Sequence, residues 1–111
     1  MDIRVLEFAE GAKNAKGLTV IIDVFRAFSV ACYAYDAGAE RVIAASSIEN
    51  ALSLKRKIKK SILAGERNEK KIDGFELGNS PTEIIKRDFT GMTFIFTTTA
   101  GTNGMVNASS A

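Results

Sequence analysis

The sequence predicts a three-layer α/β/α domain built around a mostly parallel sheet of βαβ units. Two observations favour this class. Short runs rich in Val, Ile and Phe alternate along the chain with segments of helical pattern, and such alternation is typical of right-handed βαβ units. The runs are also apolar at successive positions, as expected of strands that helices cover on both faces. A chain of 111 residues is long enough for one such domain.

The strands are placed at the apolar runs. Residues 3–8 alternate between apolar and polar and predict an edge or outlying strand. Buried strands are predicted at residues 18–23, 41–45, 61–65 and 92–97. The charged segment 66–78 has no clear periodicity and is interpreted as a long loop, a type of segment that is often functional.

Helices are predicted between these strands. The first covers residues 27–37 and ends at Gly38, a suitable C-terminal cap. The second covers residues 48–60, with Ser46 and Glu49 as a capping box. Its predicted buried stripe consists of Ile48, Ala51, Leu52, Leu54 and Ile58. A third, short helix begins at the sequence Ser80-Pro81-Thr82-Glu83 and ends near residue 87, and residues 103–111 could open a fourth.

Composition excludes several kinds of chemistry. The chain has no histidine and a single cysteine, which removes Ser-His-Asp and Cys-His nucleophiles, histidine-ligated zinc and an internal disulfide. Cys32 lies in an apolar helical segment and is predicted to be a buried core thiol. The net charge of +2 is too small to favour nucleic-acid binding, and the basic run 55–60 is interpreted as a solvated helix face. The acidic start and the lack of long apolar runs predict a cytoplasmic protein without membrane spans.

Polar residues follow the predicted strands, and the carboxyl ends of parallel strands share one edge of the sheet, where α/β proteins bind ligands. The candidate catalytic residues are Asp23, Arg26, Glu66 and Arg67. The candidate substrate-binding residues are Asn79, Ser80, Thr97, Thr98, Thr99, Gly101 and Thr102. The carboxylates of Asp23 and Glu66 would suit Mg²⁺, while Arg26 and Arg67 could hold a phosphate or sulfonate. Taken singly, each group also has a purely structural interpretation as a helix cap, a turn or a solvated ion pair.

The known phosphate motifs are absent. The chain contains neither a GxxxxGK[ST] loop nor a GxGxxG pattern. Aspartyl-phosphate phosphatases need an acid two residues after the nucleophile, but Phe25 holds that position after Asp23. Cysteine phosphatases need an arginine six residues after the cysteine, but Gly38 holds that position. A metal-activated water is therefore the favoured nucleophile if the protein is a phosphatase.

Four segments together resemble one family. VIIDVFRA (20–27), LAGERN (63–68), GFELGNSPTE (74–83) and FTTTAGT (96–102) are similar in order and spacing to the 2-phosphosulfolactate phosphatases. The resemblance implies a Mg²⁺-dependent phosphatase that acts on 2-phospho-3-sulfolactate in coenzyme M biosynthesis. It also implies that residues 1–111 are a single α/β domain forming the amino-terminal part of a longer protein. Two positions depart from the family pattern, Phe28 in place of threonine and Ala100 in place of asparagine.

These departures leave a second function open, a non-catalytic anion-binding or assembly module with the family fold. A nucleotide-binding domain is disfavoured because the glycine motifs are absent. The expected partner is a small phosphorylated and sulfonated acid. A homo-oligomer is possible as well, because a second copy could cover an open sheet edge and an apolar face.

Overall fold

The structure is a computed structural model that describes residues 1–22, 26–99 and 101–111. Its centre is an open sheet of four strands in the order β1-β4-β2-β3. The strands are β1 (Arg41–Ala44), β2 (Ser61–Arg67), β3 (Lys70–Lys71) and β4 (Thr93–Thr97). Central β4 runs parallel to both β1 and β2, and the short β3 is antiparallel to β2. The predicted mostly parallel α/β sheet is confirmed.

Helical segments cover the sheet. They are α1 (Phe8–Ala12), α2 (Ala27–Asp36), α3 (Ile48–Lys57), a 3₁₀ turn (Pro81–Glu83) and α4 (Gly101–Asn107). Helix α2 and the region around the 3₁₀ turn share one core with the sheet, while α3 covers the other face. No helix in the described ranges is long and apolar enough to cross a membrane.

Side chains of β4 alternate between two cores, as the pleat of a strand requires. Phe94 and Phe96 pack in the core that contains Val30 of α2. Ile95 packs in the other core, with Ala51 of α3. All three β4 residues are at most 1% exposed, so this strand is buried on both faces, as predicted from its unbroken apolar sequence.

The predicted strand at 18–23 is wrong for the residues that the structure describes. Residues 18–22 belong to no strand, and Leu18, Val20 and Ile22 are exposed. Asp23 lies outside the described residues. A β-rich composition stabilises a strand only where another strand offers hydrogen bonds, and residues 18–22 pair with none of the four strands of the sheet.

The predicted N-terminal strand at 3–8 is wrong as well. This region leads into α1, which begins at Phe8 and packs against α4. The Asn107 side-chain amide donates a hydrogen bond of 2.9 Å to the carbonyl oxygen of Ala9. A contact between residues so distant in sequence overrides the local alternation pattern.

The two longer helices agree with the predictions except at their ends. Helix α2 is followed by Gly38 at φ 96°, the left-handed conformation for which glycine is favoured. Helix α3 is capped by Ser47, whose hydroxyl accepts a hydrogen bond from the Asn50 amide, and not by Ser46. It ends at Lys57, three residues earlier than predicted.

The third predicted helix is shorter than expected. Only Pro81–Glu83 forms, as a single 3₁₀ turn, and Ser80 makes no capping hydrogen bond. The Glu83 carboxylate reaches back to the Gly78 amide, 3.1 Å away, rather than to Ser80.

Three side chains lie in environments different from those predicted. Cys32 is exposed on α2 and is not a core thiol. Leu52 is exposed on α3 and does not belong to its buried stripe. Lys55, from the basic run, is half-buried and pairs with Glu76 at 2.5 Å, so the solvated face begins after it.

Candidate functional site

The carboxyl edge of the sheet is built by β2 and β4, which end side by side. Gly65 lies opposite Thr97 in their parallel register. A Cβ atom on Gly65 would lie only 2.3 Å from the Thr97 carbonyl oxygen. Glycine is therefore required where the backbones of these two strands approach each other.

Strand β2 continues two residues farther than predicted, so Glu66 and Arg67 are strand residues and not loop residues. Glu66 binds the segment that follows β4. Its Oε1 accepts a hydrogen bond of 2.7 Å from the Thr99 amide, and its Oε2 accepts one of 3.1 Å from the Thr99 hydroxyl. The Glu69 amide donates a further bond of 3.0 Å to Oε2.

These hydrogen bonds control the ionisation of Glu66. Burial raises the pKa of its carboxyl, but the amides of Thr99 and Glu69, the Thr99 hydroxyl and the charge of Arg67 all lower it. The net effect places the pKa below its ordinary value of 4.5. Glu66 is therefore an anion at neutral pH.

Arg67 lies on the opposite face of the same strand end. Its Nη2 donates to the Thr97 hydroxyl at 3.0 Å, and its Nη1 donates to the Glu66 carbonyl oxygen at 2.8 Å. Because side chains alternate along β2, Glu66 continues the face of Ala64, towards α2, whereas Arg67 continues the face of Leu63, towards α3. The two charged groups thus stand on either side of the sheet edge.

A tight hairpin joins β2 to β3 beside this edge. Its two loop residues, Asn68 and Glu69, have φ values of 51° and 66°, as a two-residue type I′ turn requires. The Asn68 amide approaches the Thr99 hydroxyl at 3.4 Å, and the Glu69 amide contacts Glu66 as described above. This hairpin was not predicted, although an asparagine between two charged, non-helical segments is a recognised turn signal.

The threonine segment is also held from within. The Thr98 hydroxyl accepts a hydrogen bond of 3.2 Å from the Thr102 amide, and the Thr102 hydroxyl donates to the Thr98 carbonyl oxygen at 3.2 Å. Both residues are buried. This pair fixes the start of α4, which begins at Gly101. The Asn103 side chain adds a bond of 3.2 Å to the Thr99 carbonyl oxygen.

Three other predicted site residues lie at the same edge without contacting this cluster in the described part of the chain. Arg26 caps the amino end of α2. The other end of this helix lies at the opposite edge of the sheet, where the strands begin, and the Phe89 amide donates a hydrogen bond to the Ala37 carbonyl oxygen there. Asn79 and Ser80 follow Leu77, which runs parallel to β2 beside Ala64. The Ser80 hydroxyl bonds instead to the hydroxyl of Thr82, 2.8 Å away.

Arg26 has an unusual backbone, with φ 53° and ψ −51°. Such a conformation is costly for a residue with a Cβ atom and is found most often at functional sites. Asp23, a predicted catalytic and metal-binding residue, and Ala100, the departure from the family pattern in the threonine segment, both lie outside the described residues.

The Glu66 carboxylate offers the kind of oxygen ligand that Mg²⁺ prefers in proteins. Within the described ranges no group of three or more His, Cys, Asp or Glu side chains could hold a metal, but Mg²⁺ commonly binds through one or two carboxylates, waters and a substrate phosphate. Glu66 Oε1 accepts one of the protein hydrogen bonds given above, which leaves it an open acceptor position. Glu66 would be the ligand here, and Asp23 stays a predicted second one.

Fold and site together define an open α/β domain whose charged and hydroxyl groups meet at the carboxyl edge of a parallel sheet, the position where such folds bind ligands. The family model described as 2-phosphosulpholactate phosphatase matches residues 5–111. The chain belongs to this family, as its four motifs predicted.

Curated relatives agree with the family match. The chain is 43% identical to a probable 2-phosphosulfolactate phosphatase of Carboxydothermus hydrogenoformans, over 100% of this chain and 46% of that relative. It is 45% identical to one from Caldanaerobacter subterraneus, over 83% of this chain and 39% of the relative. One from Clostridium beijerinckii is 44% identical over 85% of this chain and 40% of its own length. The chain thus spans less than half the length of these relatives.

Proposed function

We propose that this chain is part of a Mg²⁺-dependent phosphatase that hydrolyses 2-phospho-3-sulfolactate to 3-sulfolactate and phosphate, a reaction of coenzyme M biosynthesis. Family membership and the names of the relatives support this proposal. The observation that carries it is the double hydrogen bond between Glu66 and Thr99. It joins two of the family's motifs into one polar cluster at the edge of the sheet.

The cluster has the groups that a phosphate monoester needs. The Arg67 guanidinium offers paired N–H donors to an anionic group of the substrate, and Arg26 brings a second positive charge to the same edge. The Thr99 hydroxyl lies between the Glu66 carboxylate and the hairpin. Both Thr99 donors are engaged by Glu66, so this carboxylate holds the loop in place beside the position proposed for the phosphate.

Hydrolysis requires a water oxygen to bond to phosphorus while the ester P–O bond breaks and the departing sulfolactate oxygen takes up a proton. Bound Mg²⁺ would supply the positive charge that polarises the phosphoryl group and acidifies the attacking water. Glu66, ionised at neutral pH, and Asp23 are the residues proposed to hold it. The two arginines would neutralise the phosphate and the second anionic group of the substrate.

A phosphate-release assay on the purified full-length protein tests the proposal. Release from 2-phosphosulfolactate is expected with Mg²⁺ and not after removal of the metal by a chelator. Asp23→Asn is expected to abolish release. Asp36→Asn is the matched control, because Asp36 is exposed at the far end of α2 and should leave release unchanged.

The assay also separates the alternative of a non-catalytic anion-binding module. Binding of inorganic phosphate, measured by calorimetry, together with no release from 2-phosphosulfolactate or from a panel of simple phosphate monoesters would support that module and contradict a phosphatase. Near-normal release by Asp23→Asn would remove Asp23 from the site.

A further inference from the structure

The β2–β3 hairpin places a second cation beside Arg67. In the antiparallel register Arg67 lies opposite Lys70, and Glu66 lies opposite Lys71. Side chains of directly opposed residues point to the same face of a two-stranded ribbon. Lys70 therefore shares the face of Arg67, and Lys71 shares that of Glu66.

The turn holds this pair close to the site. The two-residue turn directly joins Arg67 to Lys70, and its first amide lies 3.4 Å from the Thr99 hydroxyl. Arg67 itself is anchored to Thr97 at the end of β4. Arg67 and Lys70 therefore lie on the α3 side of this sheet edge. Glu66 and Thr99 meet at the same edge, on the α2 side.

The positive charge of the pair is available to a ligand. The ion pairs found in the described ranges involve other cations, namely Arg4, Lys13 and Lys55. Arg67 donates through Nη1 and Nη2 to neutral oxygens, so three of the five N–H donors of a guanidinium are free of the bonds seen in that part of the chain. Lys70 is exposed to solvent on the ribbon.

We propose that Arg67 and Lys70 form a subsite for a second anionic group of the substrate, a sulfonate or a carboxylate, while its phosphate lies next to Glu66 and Thr99. This inference rests on the proposed function and names the part of the site that selects doubly anionic esters. Lys70 is the residue that adds selectivity, because its side chain takes no part in the hydrogen bonds that shape the edge.

The experiment compares Lys70→Gln with Lys71→Gln, which removes the same charge from the opposite face of the ribbon. The kcat/KM for 2-phosphosulfolactate is divided by that for isopropyl phosphate, which has neither a sulfonate nor a carboxylate. One charge at contact distance in water changes binding about fivefold, so the ratio should fall about fivefold in Lys70→Gln and stay at the wild-type value in Lys71→Gln. Equal ratios in the two variants would overturn the subsite.

A third substrate, 2-phospholactate, identifies the group that is bound. An equal loss for 2-phospholactate and 2-phosphosulfolactate in Lys70→Gln assigns the carboxylate to the subsite, whereas a loss confined to 2-phosphosulfolactate assigns the sulfonate. Both results support a second anion subsite.

Failure of the proposed function gives a different result. If the wild-type protein releases phosphate from none of the three esters, the phosphatase proposal is wrong, and calorimetry with 3-sulfolactate tests the subsite without turnover. Binding about fivefold weaker in Lys70→Gln than in Lys71→Gln supports it. No binding to the wild type, or equal binding to the two variants, contradicts it.

Discussion

Glu66 and Thr99, 33 positions apart in sequence, are joined by two hydrogen bonds, 2.7 Å from the Thr99 amide and 3.1 Å from its hydroxyl. One carboxylate thereby connects the end of β2 to the segment that follows β4. Because the same carboxylate also accepts a bond from the Glu69 amide, the hairpin and the threonine segment share one anchor.

Removing the Thr99 hydroxyl should loosen this connection. Thr99→Val deletes the bond to Glu66 and the acceptor for the Asn68 amide, and we expect the free energy of unfolding to fall by about 1 kcal/mol. Thr99→Ser keeps the hydroxyl and should lose less than about 0.5 kcal/mol. Urea denaturation of both variants measures the difference, and equal stability of the two would contradict a role for the hydroxyl.

The Glu66 carboxylate should make stability depend on pH. Its pKa is lowered in the folded protein, so the stabilisation is present above the ordinary pKa of 4.5 and is lost as the pH falls through the folded value. Glu66→Gln carries no such titration. The difference in unfolding free energy between wild type and Glu66→Gln should therefore be largest near neutral pH and shrink in acid. A difference that stays constant or grows in acid would contradict this assignment.

The hairpin turn should gain stability from glycine. Glu69 has φ 66°, a left-handed conformation that glycine adopts without a steric penalty. After allowing for the greater chain entropy of glycine, we expect Glu69→Gly to raise the free energy of unfolding by about 1 kcal/mol. Glu69→Gln, which keeps the Cβ atom, should show no gain. Thermal denaturation of both variants checks this, and a destabilised Glu69→Gly would show that the turn adopts another conformation.

Local pattern was sufficient to predict the central part of the fold. The apolar runs of β1, β2 and β4 and the capped helical segments of α2 and α3 carry their own signals, because buried strands and amphipathic helices need particular residue spacings. The predicted strand at 18–23 has the same composition, but its described residues, 18–22, belong to no strand. Strand pairing depends on tertiary structure, which local composition does not predict.

The site was predictable in part. The ends of the predicted strands indicated Glu66, Arg67, Thr97 and Thr99 as one candidate site, and the structure joins them in two pairs, Arg67 with Thr97 and Glu66 with Thr99. The faces they occupy depend on the two-residue extension of β2 and on its hairpin. Neither was predicted from segment 66–78, because the turn of the hairpin lacks the usual glycine. Arg26, Asn79 and Ser80 were predicted at the same edge, but that they do not contact Glu66 or Thr99 in the described part of the chain depends on tertiary packing, which no local pattern encodes.

Phosphate release by Glu66→Gln tests the central claim most directly, that the carboxylate joining β2 to the threonine segment belongs to a phosphatase site. Glu40→Gln, at the exposed amino end of β1, is the matched control. With 2-phosphosulfolactate and Mg²⁺ at neutral pH, we expect kcat/KM to fall about 100-fold in Glu66→Gln and to remain at the wild-type value in Glu40→Gln. Wild-type turnover by a correctly folded Glu66→Gln protein would contradict the account.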